Sequence, residues 1–168
     1  MGIVAIETRR AGPQDAAQIA EVHDAAWTNA YSGLLPYKAL TRMVQRRGAD
    51  WWANAIKRST VVLVIEMAGK VAGYATIGRN RVSTLPYSGE VYELYLKPEY
   101  QGIGLGTRLF LAARGELGRR KLKGTVVWVL ADNEQAISFY ENAGGRAVAE
   151  GSEQFDGRKV AKLAFAWD

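Results

Sequence analysis

Gln101-Gly-Ile-Gly-Leu-Gly106 lies between a strand-like stretch, Glu93 to Pro98, and the helix-like TRLFLAARGEL. Glycines alternating with bulky residues let backbone approach a ligand closely. The helix that follows aims unpaired amides and the positive end of its dipole at the same point. The chemistry such a turn can do is anion binding, above all of phosphate. A Walker loop would end in Gly-Lys-Ser/Thr, but Gly106 is followed by Thr107 and Arg108. A dinucleotide fingerprint starting at Gly102 would require Gly or Ala where Thr107 stands, and would belong to an opening βαβ unit rather than to mid-chain.

With Gln101, Gly104 and Gly106 in the defining places, the turn resembles the Gln/Arg-x-x-Gly-x-Gly/Ala pyrophosphate loop of the GNAT superfamily of acetyl-CoA-dependent N-acetyltransferases. Downstream, Asn133-Glu-Gln-Ala-Ile-Ser-Phe-Tyr140-Glu-Asn-Ala-Gly144 is similar to that family's Asn-x-x-Ala-x-x-Phe-Tyr-x-x-x-Gly helix. From its residues alone this second segment is a capped amphipathic helix, with Asp132 or Asn133 as N-cap, Ala136, Ile137 and Tyr140 inward, and Gly144 at the C-cap. The two readings coexist, because a capping side chain can also touch a ligand. The resemblance implies acetyl-CoA as co-substrate. It places the pantetheine arm against the backbone of Leu94, Tyr95 and Leu96, and the pyrophosphate at Gln101, Gly102, Ile103, Gly104, Leu105, Gly106 and Thr107. It also sets Asn133 on the cofactor arm and Tyr140 beside the thioester sulfur.

Acyl transfer to an amine needs a neutral amine, a stabilised oxyanion and a stabilised leaving thiolate. A backbone N–H near Leu96 is the candidate for the oxyanion. Proton transfer from a phenol near ~10 to a thiolate near ~8.5 is uphill by about 2 kcal/mol, so Tyr140 reads as a hydrogen-bond donor to developing charge. Glu93 is the favoured base, with a structural carboxylate as the competing reading. A lysine-like ammonium facing an ordinary glutamate is adverse by about 8 kcal/mol, which calls for desolvation or a water relay. Regular alternation puts Glu90 and Glu93 on opposite strand faces, and a bulge would change that parity. Without cysteine, an acyl-cysteine intermediate is excluded.

Two positions depart from the family pattern. Trp128 stands where some relatives carry a base glutamate. Gly145 replaces the phenylalanine that often follows the last motif glycine, which predicts a missing apolar plug. For the acceptor, Trp27 and Tyr31 are the leading pocket candidates among Trp51, Trp52, Tyr87 and Tyr92, although aromatics at helical spacing are more often core. His23 reads as a satisfied helix histidine.

The elements that must position these residues follow from periodicity. Strands are expected at 3–9, 61–66, 71–79, 89–96 and 125–130, with a hairpin at Ala68-Gly69 and a final strand pair turning at Asp156-Gly157. Helices are expected after Gly12-Pro13, from about Pro36 to Arg46, and over WWANAIKR behind an Asp50 cap. Two more follow the glycine turn and span 133–142. This order suits an α/β (α+β) fold of the GNAT type: a single mixed sheet of about seven strands with helices on both faces and a splayed parallel pair, all in one domain over 1–168.

Composition agrees with one core: 168 residues, 48% hydrophobic and 23% charged. The single histidine and absence of cysteine argue against a metal site and disulfides. Without a signal segment or a membrane-length apolar run, a cytoplasmic protein without membrane partners is expected. The net charge of +5 falls wholly within residues 1–86, where Arg42, Arg46, Arg47, Lys57 and Arg58 line helical segments. That pattern reads as a solvated basic face rather than a nucleic-acid stripe, and it disfavours polycationic acceptors. The expected activity is acetyl transfer to a small-molecule or peptide primary amine in a ternary complex. A non-catalytic acyl-CoA sensor is the alternative, and homodimerisation through the late strands is a habit of the family.

Overall fold

The structure, a computed structural model, describes residues 3–155 and 157–168. Seven strands form one open sheet in the order β1-β2-β3-β4-β5-β7-β6. They are β1 Ile6–Arg10, β2 Val61–Met67, β3 Lys70–Arg79, β4 Gly89–Leu96, β5 Thr125–Leu130, β6 Arg146–Phe155 and β7 Arg158–Trp167. The helices are α1 Ala16–Tyr31, α2 Tyr37–Arg46, α3 Ala49–Lys57, α4 Leu105–Arg119 and α5 Glu134–Asn142, with short 3-10 turns at Pro13–Asp15 and Pro98–Tyr100. Among the described residues no helix is long and apolar enough to cross a membrane, and no cluster of three or more potential metal ligands occurs.

The central strands β2, β3 and β5 are near-continuous apolar runs, as expected where both faces are covered, whereas the edge strands β1 and β6 are polar and partly to largely exposed. On one face Leu109, Phe110 and Ala113 of α4 pack against Leu63, Ile65, Ala75, Val91, Val127 and Phe165. On the other, Ile19 and Val22 of α1 and Trp52 of α3 pack against Val62, Val64 and Tyr74. The β2–β3 hairpin closes through Ala68 and Gly69, both at positive φ (53° and 79°), the backbone that a two-residue hairpin turn demands. Gly48, not Asp50, is the N-cap of α3. Of the expected Asp156-Gly157 turn, Asp156 lies outside the described residues.

Every neighbouring pair is antiparallel except β4 and β5. These two register only at Gly89↔Thr125 and Glu90↔Val126, and then diverge. A register shift in β4 opposite Thr76/Ile77 inserts Tyr92 as an extra residue. The bulge resets the alternation, so Tyr92 and Glu93 line the same cavity although they are adjacent in the strand.

Gly145 does not leave a hole. The indole of Trp167 fills the space: a Cβ on Gly145 would lie 2.5 Å from Cζ2 of that ring. Trp167 Nε1 donates to Ala143 O at 3.0 Å, which ties the end of β7 to the end of α5. The same indole lies against Phe110 and Tyr140, with ring centroids 4.7 and 5.8 Å away. The plug expected to be missing is thus supplied from a distant part of the chain. Trp167→Ala is expected to destabilise the protein by about 3–5 kcal/mol, and Gly145→Ala by about 1–3 kcal/mol through overpacking, as read by urea denaturation. Near-wild-type midpoints for both would refute this account.

Candidate active site

The splay of β4 from β5 leaves backbone groups of β4 beyond Glu90 without a partner strand on that side, and buried backbone groups need partners. Into the opening project residues from α1, the glycine turn and α5. Together they wall a cleft of about 320 Å³. The structure brings Leu94, Tyr95, Leu96, Gln101, Gly102, Gly104, Gly106, Thr107, Asn133 and Tyr140 to this one cleft. Ile103 instead points its side chain out, 58% exposed, and Leu105 sends its side chain into the core.

Gly102 and Gly104 hold φ of +80° and +88°, a region that a side chain would strain. Gly106 serves a different end, since a Cβ there would stand 3.1 Å from the Phe139 ring. That glycine lets α4 and α5 close on one another. Arg108 N donates to Gly104 O at 3.2 Å, the first backbone bond of α4. The amides of Gly102 through Thr107 have no acceptor among the described residues, and no side chain caps the helix. This row of free N–H groups at a helix N-terminus is an anion site by construction. Across its mouth Gln135 Nε2 donates to Gln101 Oε1 at 3.0 Å.

Asn133 is the N-cap of α5: its Oδ1 accepts from Ala136 N at 3.2 Å. The amide NH2 of the same side chain stays available to the cleft. Seven residues on, Tyr140 is pinned between Phe110 and Phe139, with ring centroids 5.6 and 5.1 Å away. Its hydroxyl makes no hydrogen bond among the described residues, and burial, followed by the nearby Tyr31, drives its pKa well above the ordinary phenol value. The phenol therefore stays protonated.

A second cavity of about 190 Å³ opens beside β4, with Trp27, Tyr31, Tyr92, Glu93, Tyr95 and Trp128 in its walls. A neck of about 40 Å³ runs between the splayed strands, touching Glu93, Leu94 and Tyr95 on one side and Asn133 and Tyr140 on the other. The neck shares Leu94, Asn133 and Tyr140 with the cleft and Tyr31, Tyr92 and Glu93 with the cavity, and Tyr95 lines all three. Tyr31 and Tyr95 share a hydrogen bond of 2.6 Å between their hydroxyls. Burial pushes the Tyr31 phenol up to about 12, with the Tyr95 bond acting in the opposite direction.

Glu93 is fully engaged. Arg47 holds its Oε1, and the Tyr74 hydroxyl donates to Oε2 at 2.9 Å. Arg47 in turn lies 4.6 Å from the centroid of the Trp51 ring. Both carboxylate oxygens are thus occupied by side chains of the protein. Of the aromatic candidates, Trp27, Tyr31 and Tyr92 line the cavity, Trp52 is core, and Trp51 and Tyr87 lie elsewhere. His23 is buried but not satisfied: its Nδ1 has no partner. Burial, helped by Arg47, lowers its pKa to about 4, so it stands neutral near Trp27 at 5.0 Å.

Several wall residues escaped the sequence reading. Ala26, Asn29 and Ala30 form the α1 wall of the cleft, and small residues at three-and-four spacing were the available signal. Arg47 and Lys162 reach the cavity from α2's C-terminus and from β7, for which no local pattern exists.

The chain's residues 19–144 match the profile of the family described as Acetyltransferase (GNAT) family. It is 28% identical over 162 residues to an uncharacterized N-acetyltransferase, YuaI, of Bacillus subtilis (strain 168), covering 96% of this chain and 92% of that one. It is 26% identical to a spermidine N(1)-acetyltransferase of Thermoplasma acidophilum, covering 84% of this chain and 88% of that protein. In structure it is similar to the PaiA N-acetyltransferase of Thermoplasma acidophilum, solved in complex with coenzyme A. That match has a TM-score of 0.75 and 22% identity, and covers 95% of this chain and 98% of the other. The family match takes in both the glycine turn and the Tyr140 helix, and the protein therefore belongs to the GNAT family and is an N-acetyltransferase.

Proposed function

We propose that this enzyme transfers the acetyl group of acetyl-CoA to a small primary amine by direct attack in a ternary complex. The observation that carries this reading is the neck: it shares Asn133 and the buried Tyr140 phenol with the cleft walled by free amides, and Tyr31 and Glu93 with the cavity walled by aromatic and charged side chains. Acetyl-CoA supplies the acetyl group activated as a thioester. The unpaired amides of Gly102 through Thr107 suit its pyrophosphate, and the open backbone edge of Leu94, Tyr95 and Leu96 suits the amide-bearing pantetheine arm. Gln101 flanks the pyrophosphate site, and Asn133 offers its NH2 to the arm while its carbonyl caps α5. The neighbouring PaiA structure holds coenzyme A, which supports the same assignment.

Tyr140 donates a hydrogen bond to the sulfur as negative charge grows there. With its acidity suppressed by burial, full proton transfer is less favourable than for an ordinary phenol, so stabilisation of the thiolate is the larger part of its role. Glu93, held by Arg47 and Tyr74, acts on the amine through water rather than as a direct base. Trp27 and Tyr31 form the apolar side of the acceptor cavity. The amine arrives neutral, having lost its proton to solvent or along that water path.

Tyr140→Phe keeps the ring in its packed site. It is expected to lower kcat by about 10²-fold or more while coenzyme A binding, read by calorimetry, stays within twofold. An unchanged kcat would remove Tyr140 from the chemistry. The pH dependence follows from the same groups. Because Tyr140's pKa is raised, its donor form persists across the working range, so kcat/KM should climb with pH toward the acceptor amine's own pKa and show no fall below about pH 10. Changing the amine should move the level-off point with the amine's pKa; a point common to all amines would instead reveal a titrating enzyme base.

A further inference from the structure

The acceptor cavity is rich in donors that lack acceptors. Lys162 Nζ lies 4.5 Å from the centroid of the Trp128 ring and spends one N–H on Glu153 at 3.0 Å. Arg81, whose side chain is 67% exposed at the cavity mouth, holds the buried Glu90 through Nε and Nη2, leaving Nη1 without a partner among the described residues. The indole N–H groups of Trp27 and Trp128 are buried and unpaired. Burial, followed by Glu93, raises the pKa of the Tyr74 phenol well above the ordinary value; Trp27 is the least of the influences on it and lies outside hydrogen-bond geometry. All four of these residues line the one cavity.

Acceptor groups are scarce by comparison. Both oxygens of Glu93 are occupied by Arg47 and Tyr74. Glu153 is half-exposed, with 47% of its side chain in contact with solvent, and already pairs with Lys162. Lys162 and Arg81 each keep N–H donors that their carboxylate partners do not use, so a ligand that brings acceptor oxygens gains charge-assisted bonds that the empty cavity lacks. A polyamine brings only more donors and more positive charge. The volume of about 190 Å³, the liquid share of about six waters, suits a small molecule.

Resting on the acetyltransferase reading above, we propose that the acceptor is a primary amine that carries a carboxylate, an apolar or aromatic α-amino acid. Lys162 and Arg81 hold the carboxylate. The side chain lies against Trp27 and Tyr31, and the amino group faces the neck beside Glu93 and Tyr140. The nitrogen lone pair attacks the thioester carbonyl, the C–N bond forms, the C–S bond breaks with its electron pair going to sulfur, and the amine proton leaves by way of solvent. The products are the N-acetyl amino acid and coenzyme A. This selectivity differs from that named for the similar spermidine N(1)-acetyltransferase.

The test is thiol release from acetyl-CoA by the full chain with matched acceptors: leucine against isoamylamine, phenylalanine against phenethylamine, tryptophan against tryptamine, and spermidine. Coenzyme A binding is measured alongside as a shift in melting temperature. At least one amino acid should exceed its decarboxylated partner and spermidine by about tenfold or more in kcat/KM, the size of one charge-assisted hydrogen bond. Lys162→Met should lower the ratio of kcat/KM for phenylalanine to that for phenethylamine by about tenfold, and an unchanged ratio would overturn the inference. If coenzyme A shifts the melting temperature but the decarboxylated amines or spermidine match or exceed the amino acids, or no amino acid turns over, this inference falls and the acetyltransferase reading stands. If coenzyme A gives no shift and no amine releases thiol, both fall.

Discussion

The divergence of β4 from β5 after Glu90 and Val126 is the constraint on which everything else in this molecule depends. A continuous sheet would have satisfied its own backbone and left no site. Once the strands part, the open edge of β4 has to find partners, and the glycine turn and α5 are placed by the ends of the same two strands. The larger cleft, the neck and the aromatic-walled cavity are thus one opening seen at three depths.

Holding such an opening requires rigidity around it. Core packing on both faces supplies this, with α4 and α5 against one side of the sheet and α1 and α3 against the other. Trp167 performs two tasks in that frame: it fills the space over Gly145 and presses on the ring of Tyr140. A buried phenol held by Phe110, Phe139 and Trp167 cannot swing away, and the same burial keeps it protonated. Position and acidity therefore share one cause, the exclusion of water.

The aromatic-walled cavity is electrostatically divided. Arg47 with Glu93, Arg81 with Glu90, and Lys162 with Glu153 are arranged around aromatic walls. The β4 bulge makes this arrangement possible, since without it Tyr92 and Glu93 would face opposite sides. Arg47 also lies against Trp51, which fixes the guanidinium from behind. The carboxylate of Glu93 is thereby part of a built structure as well as of the cavity wall.

Local chemistry was legible in the chain. The strand and helix order followed from periodicity, and the anion turn followed from glycines set before a helix, because positive φ and free amides are properties of a short segment. A cap at Asp132 or Asn133 and a hairpin at Ala68-Gly69 were readable for the same reason, and the fold selected Asn133. What only the folded molecule decided lies in contacts between residues far apart in sequence: Trp167 over Gly145, Arg47 on Glu93, Lys162 over Trp128. The bulge at Tyr92 belongs here too, since strand register is a relation between two strands and carries no mark in either alone. Motifs name the backbone that must bind, whereas a pocket's charge and shape arise where separate elements meet.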